Sequence, residues 1–600
     1  MRVADYIFKT LADRGVEHVF FVSGGGAMHL NDALGREKRI RYICNLHEQA
    51  CAIAAEGYAR ITGRPGVVSV TTGPGGTNAL TGVVGAWLDS IPMLVISGQI
   101  KRATSVTACP TLKLRQLGDQ ELNIVDVVRP VTKYAVMIRD RRDIRYELEK
   151  AWHLCRSGRP GPVWLDVPLD IQAAEIDPAE LRGYEKEYGT ETPELRPTQM
   201  AEIISKLQSA RRPVIVAGIG VRHGGGAETL LEFAEKRHIP VLTSISGIDL
   251  IPSDHPLFFG RPGILGERAA NFIMQNSDLL LVLGTRMGIR IIGYACETVA
   301  RAACKIMVDA DPGELCKPTF RPDIAVNADA GRFLEAVNAA LPAAEGDPAW
   351  LDYCRRLKKQ YPVVTGEHRS RTDYVSSYAF PEMIGELCRD DAIVVTGNGT
   401  AYTSTFQAIP LKKGMRMFSN EACASMGYGF PAAIGAALAG GGREVLCLTG
   451  DGSLQMNLQE LQTMKNLHLP IKLFVYNNAG YLSIKLTQRA FFGGNFVGSE
   501  AGSGVVLPDL GKIAAAYELP FFRLANNQEA RKLLPKILSA EGPAVIEVMT
   551  DPFEVLGPKA ASKRLPDGTM VSAPLEDLAP FLPREEFLKN MLIPPVSEEF

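Results

Sequence analysis

Short apolar runs bounded by Gly, Pro and polar residues recur along the chain, and between them apolar residues return every three or four positions. Continuous runs rich in Val, Ile and Leu read as strands buried on both faces, and the stretches between them as helices with one apolar face. Strand runs are residues 19–22, 67–71, 93–97 and 162–167, then 213–217, 279–283 and 305–308, then 392–396, 445–448, 471–476 and 544–548. This alternation predicts an α/β protein of three doubly wound parallel-sheet domains. The units are expected at residues 1–183, 198–342 and 376–550, with a C-terminal tail at 551–600 rich in Pro and acidic residues. A polar stretch at 184–197 reads as a linker, and the charged stretch 350–373 as a helix and connector.

Length and composition agree with that organisation. Six hundred residues exceed what one core holds, and the chain is 46% hydrophobic and 22% charged with a net charge of -2. Charges of both signs are interspersed, so there is no basic face for nucleic acid. No apolar run reaches membrane-spanning length, and the first residues lack the apolar core of a signal peptide. The eleven cysteines form no CxxC pair and the nine histidines no HExxH. Reduced core cysteines and a cytoplasmic protein are therefore expected, with neither a disulfide framework nor a zinc site.

The most informative local pattern is Gly450-Asp451-Gly452-Ser453, followed downstream by Asn477-Asn478. Asp451 falls where an apolar strand run ends, and Gly450 and Gly452 permit close backbone approach to an anion. Residues 454–467 read as a helix whose N-terminus faces the phosphates. The next strand run ends at Asn477-Asn478, so Asp451 and Asn478 meet at neighbouring strand tips and offer oxygen to one hard cation. Magnesium suits such a site, because it takes its remaining ligands from phosphate and water. A Gly-Asp-Gly alone is usually only a turn. The Asn-Asn at a second strand end is what changes the reading. Far upstream, His47-Glu48-Gln49-Ala50 opens a helix continuing to Arg60, and Thr72-Gly73-Pro74-Gly75-Gly76-Thr77-Asn78 follows a strand.

In these motifs the chain resembles the thiamine-diphosphate enzymes, and most of all the acetolactate (acetohydroxyacid) synthase large-subunit family. The likeness extends through Asp89-Ser90-Ile91-Pro92, Gly98-Gln99, Pro160-Gly161-Pro162-Val163 and residues 426–435, and so covers nearly the whole chain. The resemblance implies that the first unit binds the aminopyrimidine of thiamine diphosphate and the third its diphosphate. Glu48 would be the catalytic acid, hydrogen-bonded to a ring nitrogen. A largely buried carboxyl with a raised pKa suits that task, whereas a plain helix-opening Glu is the alternative. His47 would assist it or merely cap the helix. Gln120 is the second catalytic candidate. Val22, Gly24 and Gly25 form a tight turn near the cofactor. Gly73, Pro74 and Gly75 form a loop over the pyrimidine, with Asn78 beside it. Gly397, Asn398, Gly399 and Thr400, with Gly450, Gly452 and Ser453, belong to the diphosphate side. Met426 supports the folded cofactor from below, and Asp451, Asn478 and the Gly480 carbonyl hold Mg2+.

The resemblance also implies FAD in the central unit, at Gly218, Gly220, Gly284, Arg286, Asp309 and Asp329. The Gly218-Ile219-Gly220 turn lacks the full GxGxxG, so a fold that has lost its flavin is the alternative. Active sites at the subunit interface of a homodimer or homotetramer follow from the same likeness.

Departures from the family cluster at the acceptor pocket. Ser483 and Thr487 stand where the family has Met and Trp, Asp119 where it has Phe, and Leu169 where it has Lys. An insertion, including residues 104–117, separates Gln99 from Gln120. Arg290 matches the arginine that holds the acceptor carboxylate. The expected activity is a carboligase that decarboxylates a 2-oxo acid, pyruvate first among them. It passes the two-carbon acyl unit to a 2-oxo acid or a larger aldehyde, ketone or keto sugar. A 2-oxo acid decarboxylase or oxidase is the alternative, and a non-catalytic family member the third reading, which intact Glu48, Asp451 and Asn478 oppose.

Overall fold

The computed structural model describes residues 1–185, 195–564 and 567–596. Most of the expected linker, and Leu565 and Pro566 of the tail, lie outside them.

Three parallel sheets carry the fold. The first contains β1 (His18–Phe21), β2 (Arg41–Cys44), β3 (Gly66–Val70), β4 (Met93–Gln99), β5 (Tyr134–Met137) and β6 (Pro162–Pro168), in the order β2-β1-β3-β4-β6-β5. The second contains β7 (Pro213–Ala217), β8 (Val241–Thr243), β9 (Leu279–Leu283), β10 (Cys304–Asp309) and β11 (Ile324–Asn327), ordered β11-β10-β9-β7-β8. The third contains β12 (Ile393–Thr396), β13 (Arg416–Phe418), β14 (Val445–Gly450), β15 (Ile471–Asn477), β16 (Phe521–Leu524) and β17 (Ala544–Met549), ordered β13-β12-β14-β15-β17-β16. The first and third orders are the same permutation, so the two units share a topology. In each, loops at the carboxyl ends of the central strands gather beside the point where strand order reverses, the usual place for a ligand in an open α/β sheet.

The first and third units meet through two helices, Glu48–Thr62 and Gly429–Ala439. Both are rich in Ala and Gly, which lets their backbones approach closely. A methyl group on Gly57 would stand 2.3 Å from the Ala432 carbonyl oxygen, and one on Gly435 only 1.9 Å from that of Ala54. A buried ion network fastens the same contact. The Arg60 guanidinium donates to Glu56 at 2.6 Å and to Asp89 at 2.7 Å, and the Tyr428 hydroxyl donates to Glu56 at 2.5 Å.

The tail packs on the central unit. The Ala560 N–H donates to the Ile264 carbonyl, Arg268 donates to the carbonyls of Leu578 and Pro580, and the Tyr353 hydroxyl donates to that of Asn590. Among the described residues, no helix is long and apolar enough to cross a membrane.

Candidate functional site

Asp451 follows β14 directly, and Gly450 lies in register with Tyr476 of β15, two residues before Asn478. The two strand tips therefore meet as the spacing requires. Asp451 accepts from its neighbour Gly452 N–H at 2.8 Å and from Gly480 N–H at 3.1 Å. Burial pushes its carboxyl up to about 6, against the pull of those N–H groups. Gly480 sits at φ 126°, a conformation glycine adopts without strain. Asn478 is 4% exposed, and its Oδ1 is buried without a partner. A carboxylate and an orphaned amide oxygen converging at two strand ends are what a hard cation needs. The donor set thus fits magnesium.

The expected helix at 454–467 begins earlier and is interrupted. A first turn spans Asp451–Leu454, a 3-10 turn Gln455–Asn457, and a second helix Glu460–Asn466. The irregular turn carries the Asn457 amide to the Gly427 carbonyl at 2.9 Å, while the Ser453 hydroxyl accepts from Gly427 N–H at 2.9 Å. These bonds tie the segment holding Met426 to the Gly450–Ser453 turn. Met426 is half-buried and stands outside the hydrophobic cores.

Gly397, Asn398, Gly399 and Thr400 form the turn from β12 into the helix Gly399–Ala408. Its N-cap, Asn398, makes no side-chain cap, and the Thr400 hydroxyl is buried without a partner. The first N–H groups of that helix are accordingly open to an anion.

On the first unit, Glu48 opens its helix and the His47 Nδ1 caps it by accepting from Gln49 N–H at 3.0 Å. The capping reading of His47 holds. Glu48 is half-buried in the single chain, not largely buried as expected, because one side of the helix N-terminus faces outward. Its Oε2 accepts from the Asn78 amide at 3.1 Å. The expected loop at Gly73–Gly75 is a short helix, Pro74–Asn78, which aims Asn78 at Glu48. Gly24 lies so close to Thr71 that a methyl group would stand 2.4 Å from the Thr71 Cβ, while Gly25 is open. Close approach at Gly24 therefore serves the fold itself and not only a ligand, and Val22 is half-buried just before it. Gln120, at φ 59°, lays its carbonyl against Gly73, where a methyl group would stand 2.4 Å away. Gln120 and Asp119 are both exposed.

The turn just before Glu48 docks on the third unit of the same chain, since the Asn45 amide and Leu46 N–H both donate to Glu460 at 2.8 Å. Asp451 opens on a cavity lined only by third-unit residues, Gln455, Asn477 and Pro508 among them, and Glu48 is not part of it.

A second cavity lies where the three units meet. It is lined by Asp89 and Arg159 from the first, Gly220, Gly284, Arg286, Asp309 and Asp329 from the second, and Glu421 from the third. Gly218 lies just beneath, its N–H donating to the Leu283 carbonyl. A methyl group on Gly218 would stand 2.5 Å from the Gly284 carbonyl, so the turn admits only glycine. Burial pushes Asp309 up to about 6. A glycine turn at a strand end with two acidic residues beyond it fits a dinucleotide such as FAD.

Arg290 is half-buried, with its guanidinium 5.4 Å from the centre of the Tyr402 ring. Ser483 and Thr487 lie one turn apart on the exposed face of the helix Leu482–Phe491. A methyl group on Gly399 would come within 3.8 Å of the Ser483 hydroxyl, so this face borders the diphosphate turn.

Sequence reasoning missed Glu421 and Lys485. Lys485, from the Ser483 helix, is buried and donates to the Asn478 carbonyl at 2.8 Å. Its place three residues from Leu482 marked it only as the buried face of a helix. Glu421 lies in a loop with no periodicity, and the charge partners that define it are distant in sequence.

Comparison with known proteins identifies the family. Residues 1–125 match the thiamine pyrophosphate enzyme N-terminal TPP binding domain, residues 200–337 the central domain, and residues 397–548 the C-terminal TPP binding domain. The chain belongs to the thiamine diphosphate enzyme family. It is 34% identical over 564 residues to acetolactate synthase 1, chloroplastic, of Zea mays, covering 91% of this chain and 85% of that one. It is 32% identical over 562 residues to the acetolactate synthase isozyme 1 large subunit of Escherichia coli (strain K12), with 92% and 95% covered. The large subunit from Lactococcus lactis subsp. lactis (strain IL1403) is 31% identical over 551 residues, with 91% and 92% covered. Within the family, this chain is a thiamine-diphosphate-dependent carboligase of acetolactate-synthase type.

Proposed function

We propose that the enzyme takes pyruvate as donor, loses carbon dioxide from it and joins the two-carbon acyl unit to a carbonyl acceptor, with Mg2+ holding the cofactor diphosphate. The observation that carries this is the pairing of Asp451 with the orphaned Asn478 oxygen at two strand tips. Thiamine diphosphate, when bound, supplies the electron sink for decarboxylation of a 2-oxo acid. Asp451, Asn478 and the Gly480 carbonyl hold the metal. The N-terminus of the Gly399–Ala408 helix and the Gly450–Ser453 turn receive phosphate oxygens. Met426 gives apolar support, Glu48 shares a proton with a ring nitrogen, and Asn78 orients the Glu48 carboxylate. Gln120 lies on the Gly73 side of the same site.

The active site is read as assembled from two copies in a homodimer or homotetramer, Glu48 coming from one and Asp451 from the other. The central cavity suits FAD, held by the Gly218–Gly220 turn, Gly284, Arg286, Asp309 and Asp329. All eleven cysteines are unpaired, which suits a cytoplasmic setting. Loss of bulk at Ser483 and Thr487 favours acceptors larger than pyruvate.

The test is direct. Purified protein is incubated with thiamine diphosphate, Mg2+ and pyruvate, with and without added aldehydes and ketones, and products are identified by mass spectrometry. A ligated product supports the reading. Acetaldehyde alone would replace it with a simple decarboxylase. A flavin absorption spectrum of the purified protein decides the FAD assignment independently.

A further inference from the structure

A buried lysine is bonded to the turn that carries the metal ligands. Lys485, on the helix Leu482–Phe491, is 1% exposed, and its Nζ donates to the Asn478 backbone carbonyl at 2.8 Å. Lysine is among the residues least often taken fully out of water, because its ammonium must be desolvated. Among the described residues, that carbonyl is the one hydrogen-bond partner of Nζ, which otherwise lies 5.1 Å from the centre of the Phe553 ring. Glu500, Asp451 and Asp551 bear on its charge without forming an ion pair with it. An apolar side chain would fill the same space against Phe553 at no cost in desolvation. What the ammonium adds is its hold on Asn478.

The turn it holds needs anchoring. Ala479 sits at φ 56° and Gly480 at φ 126°, two successive residues in left-handed conformations. A non-glycine residue in that region costs free energy and persists only where its surroundings fix it. Both ends of the turn are fixed. At one end the Asn477 carbonyl accepts from Thr550 N–H at 3.0 Å and the Asn477 amide donates to Glu547 at 2.7 Å. At the other, Gly480 N–H donates to Asp451 at 3.1 Å and Tyr481 N–H to the Ser499 carbonyl at 2.9 Å. Between them lies Asn478, whose backbone oxygen is taken by Lys485 and whose side-chain oxygen is buried without a partner. Fixing the first oxygen fixes the peptide plane from which the second projects.

We propose that Lys485 is a positioning residue for the metal, holding the Asn478–Gly480 turn so that its oxygens face the cation. This rests on the metal reading above and deepens it. Groups that bond to a metal ligand from behind orient it, and their loss weakens the metal even though they never touch it. The arrangement also has a direction that charge alone does not share. An ammonium close to Asp451 opposes a second cation there, so on coulombic grounds its removal tightens metal binding. If Lys485 acts by orienting Asn478, its removal loosens it.

The experiment measures binding and not turnover. Full-length protein is titrated calorimetrically with thiamine diphosphate at a series of Mg2+ concentrations, for the wild type and for Lys485→Met, which keeps the length of the side chain and removes its donor and charge. The Mg2+ concentration for half-maximal binding should rise about tenfold in the variant. A value within about twofold of the wild type, or a lower one, overturns the inference. The melting temperature without cofactor and metal is recorded beside it, since a role confined to packing lowers that temperature and leaves the Mg2+ dependence where it was, which also overturns the inference. Should Lys485→Met fail to fold by circular dichroism, Lys485→Gln carries the test. Its shorter, uncharged side chain should move the Mg2+ dependence in the same direction by more than about twofold. Wild-type binding that is independent of Mg2+ would instead remove the metal reading, and the inference with it.

Discussion

The Asn78 amide engages one oxygen of Glu48, and among the described residues the other has no hydrogen-bond partner. Glu48→Gln keeps the shape and loses the acid. Turnover should fall by more than about 100-fold with the circular dichroism spectrum unchanged. Near-normal turnover would take Glu48 out of the chemistry. At the other end of the cofactor, Asp451→Ala leaves Asn478 without its partner ligand, and titration calorimetry in Mg2+ should register no heat of thiamine diphosphate binding. A wild-type isotherm would contradict the metal assignment. Asp166 makes a prediction about stability alone. Buried in β6, it accepts from the Ser97 hydroxyl at 2.6 Å and the Gln99 amide at 3.0 Å, and burial pushes it up to about 7. A carboxyl raised above its unfolded value binds its proton more tightly when folded. Its effect on stability is therefore most favourable at low pH and fades as pH rises from about 4 to about 7, by at most the order of 4 kcal/mol. Asp166→Asn has no proton to lose there, so its melting temperature should fall less than that of the wild type between about pH 5 and about pH 8. Parallel curves would show that Asp166 ionises without penalty.

Among the elements, the strands legible in the sequence are the interior ones. Every strand run recognised from apolar continuity lies inside its sheet, and β2, β5, β8, β11, β13 and β16, which were not recognised, are the six sheet edges. The reason is physical. Interior strands are covered on both faces and must be apolar throughout, whereas β2 is exposed at three of its four positions and β5 is half-buried along its length. The strand-tip motifs were legible for a related reason, since Asp451 and Asn478 follow interior strands directly. The interrupted helix after Asp451 was not, because the bond between Asn457 and the Gly427 carbonyl joins residues 30 positions apart. The Glu48 helix and its partner Gly429–Ala439 carry a prediction of their own. Gly435→Ala places a methyl group 1.9 Å from the Ala54 carbonyl, so the helices must separate. The expected loss is about 2 to 3 kcal/mol, more than the roughly 1 kcal/mol gained from helix propensity. Gly35→Ala is the control, because nothing lies within 4 Å of its added methyl and the protein should melt no lower. Equal melting temperatures for the two variants would refute the close helix contact.

For the whole molecule, the decisive question is which Asp451 serves which Glu48. The two unit topologies are alike and pack through their glycine-lined helices, and the cavity on which Asp451 opens is lined by third-unit residues and not by Glu48. The proposed assembly supplies Glu48 from the neighbouring copy, and a mixing experiment separates the possibilities. Glu48→Gln and Asp451→Ala chains are each inactive alone. Co-expressed with different affinity tags, they form mixed dimers in which one site combines both lesions and the other combines neither. With random pairing about half the dimers are mixed, and each has one intact site, so the population should recover about a quarter of wild-type activity. Purification through both tags should raise this to about half. If each site lay within a single chain, every site in the mixture would carry one lesion, and no activity would return at any mixing ratio. Recovered activity therefore requires a shared site, and its absence in a verified mixed dimer would force both ends of the cofactor onto one chain.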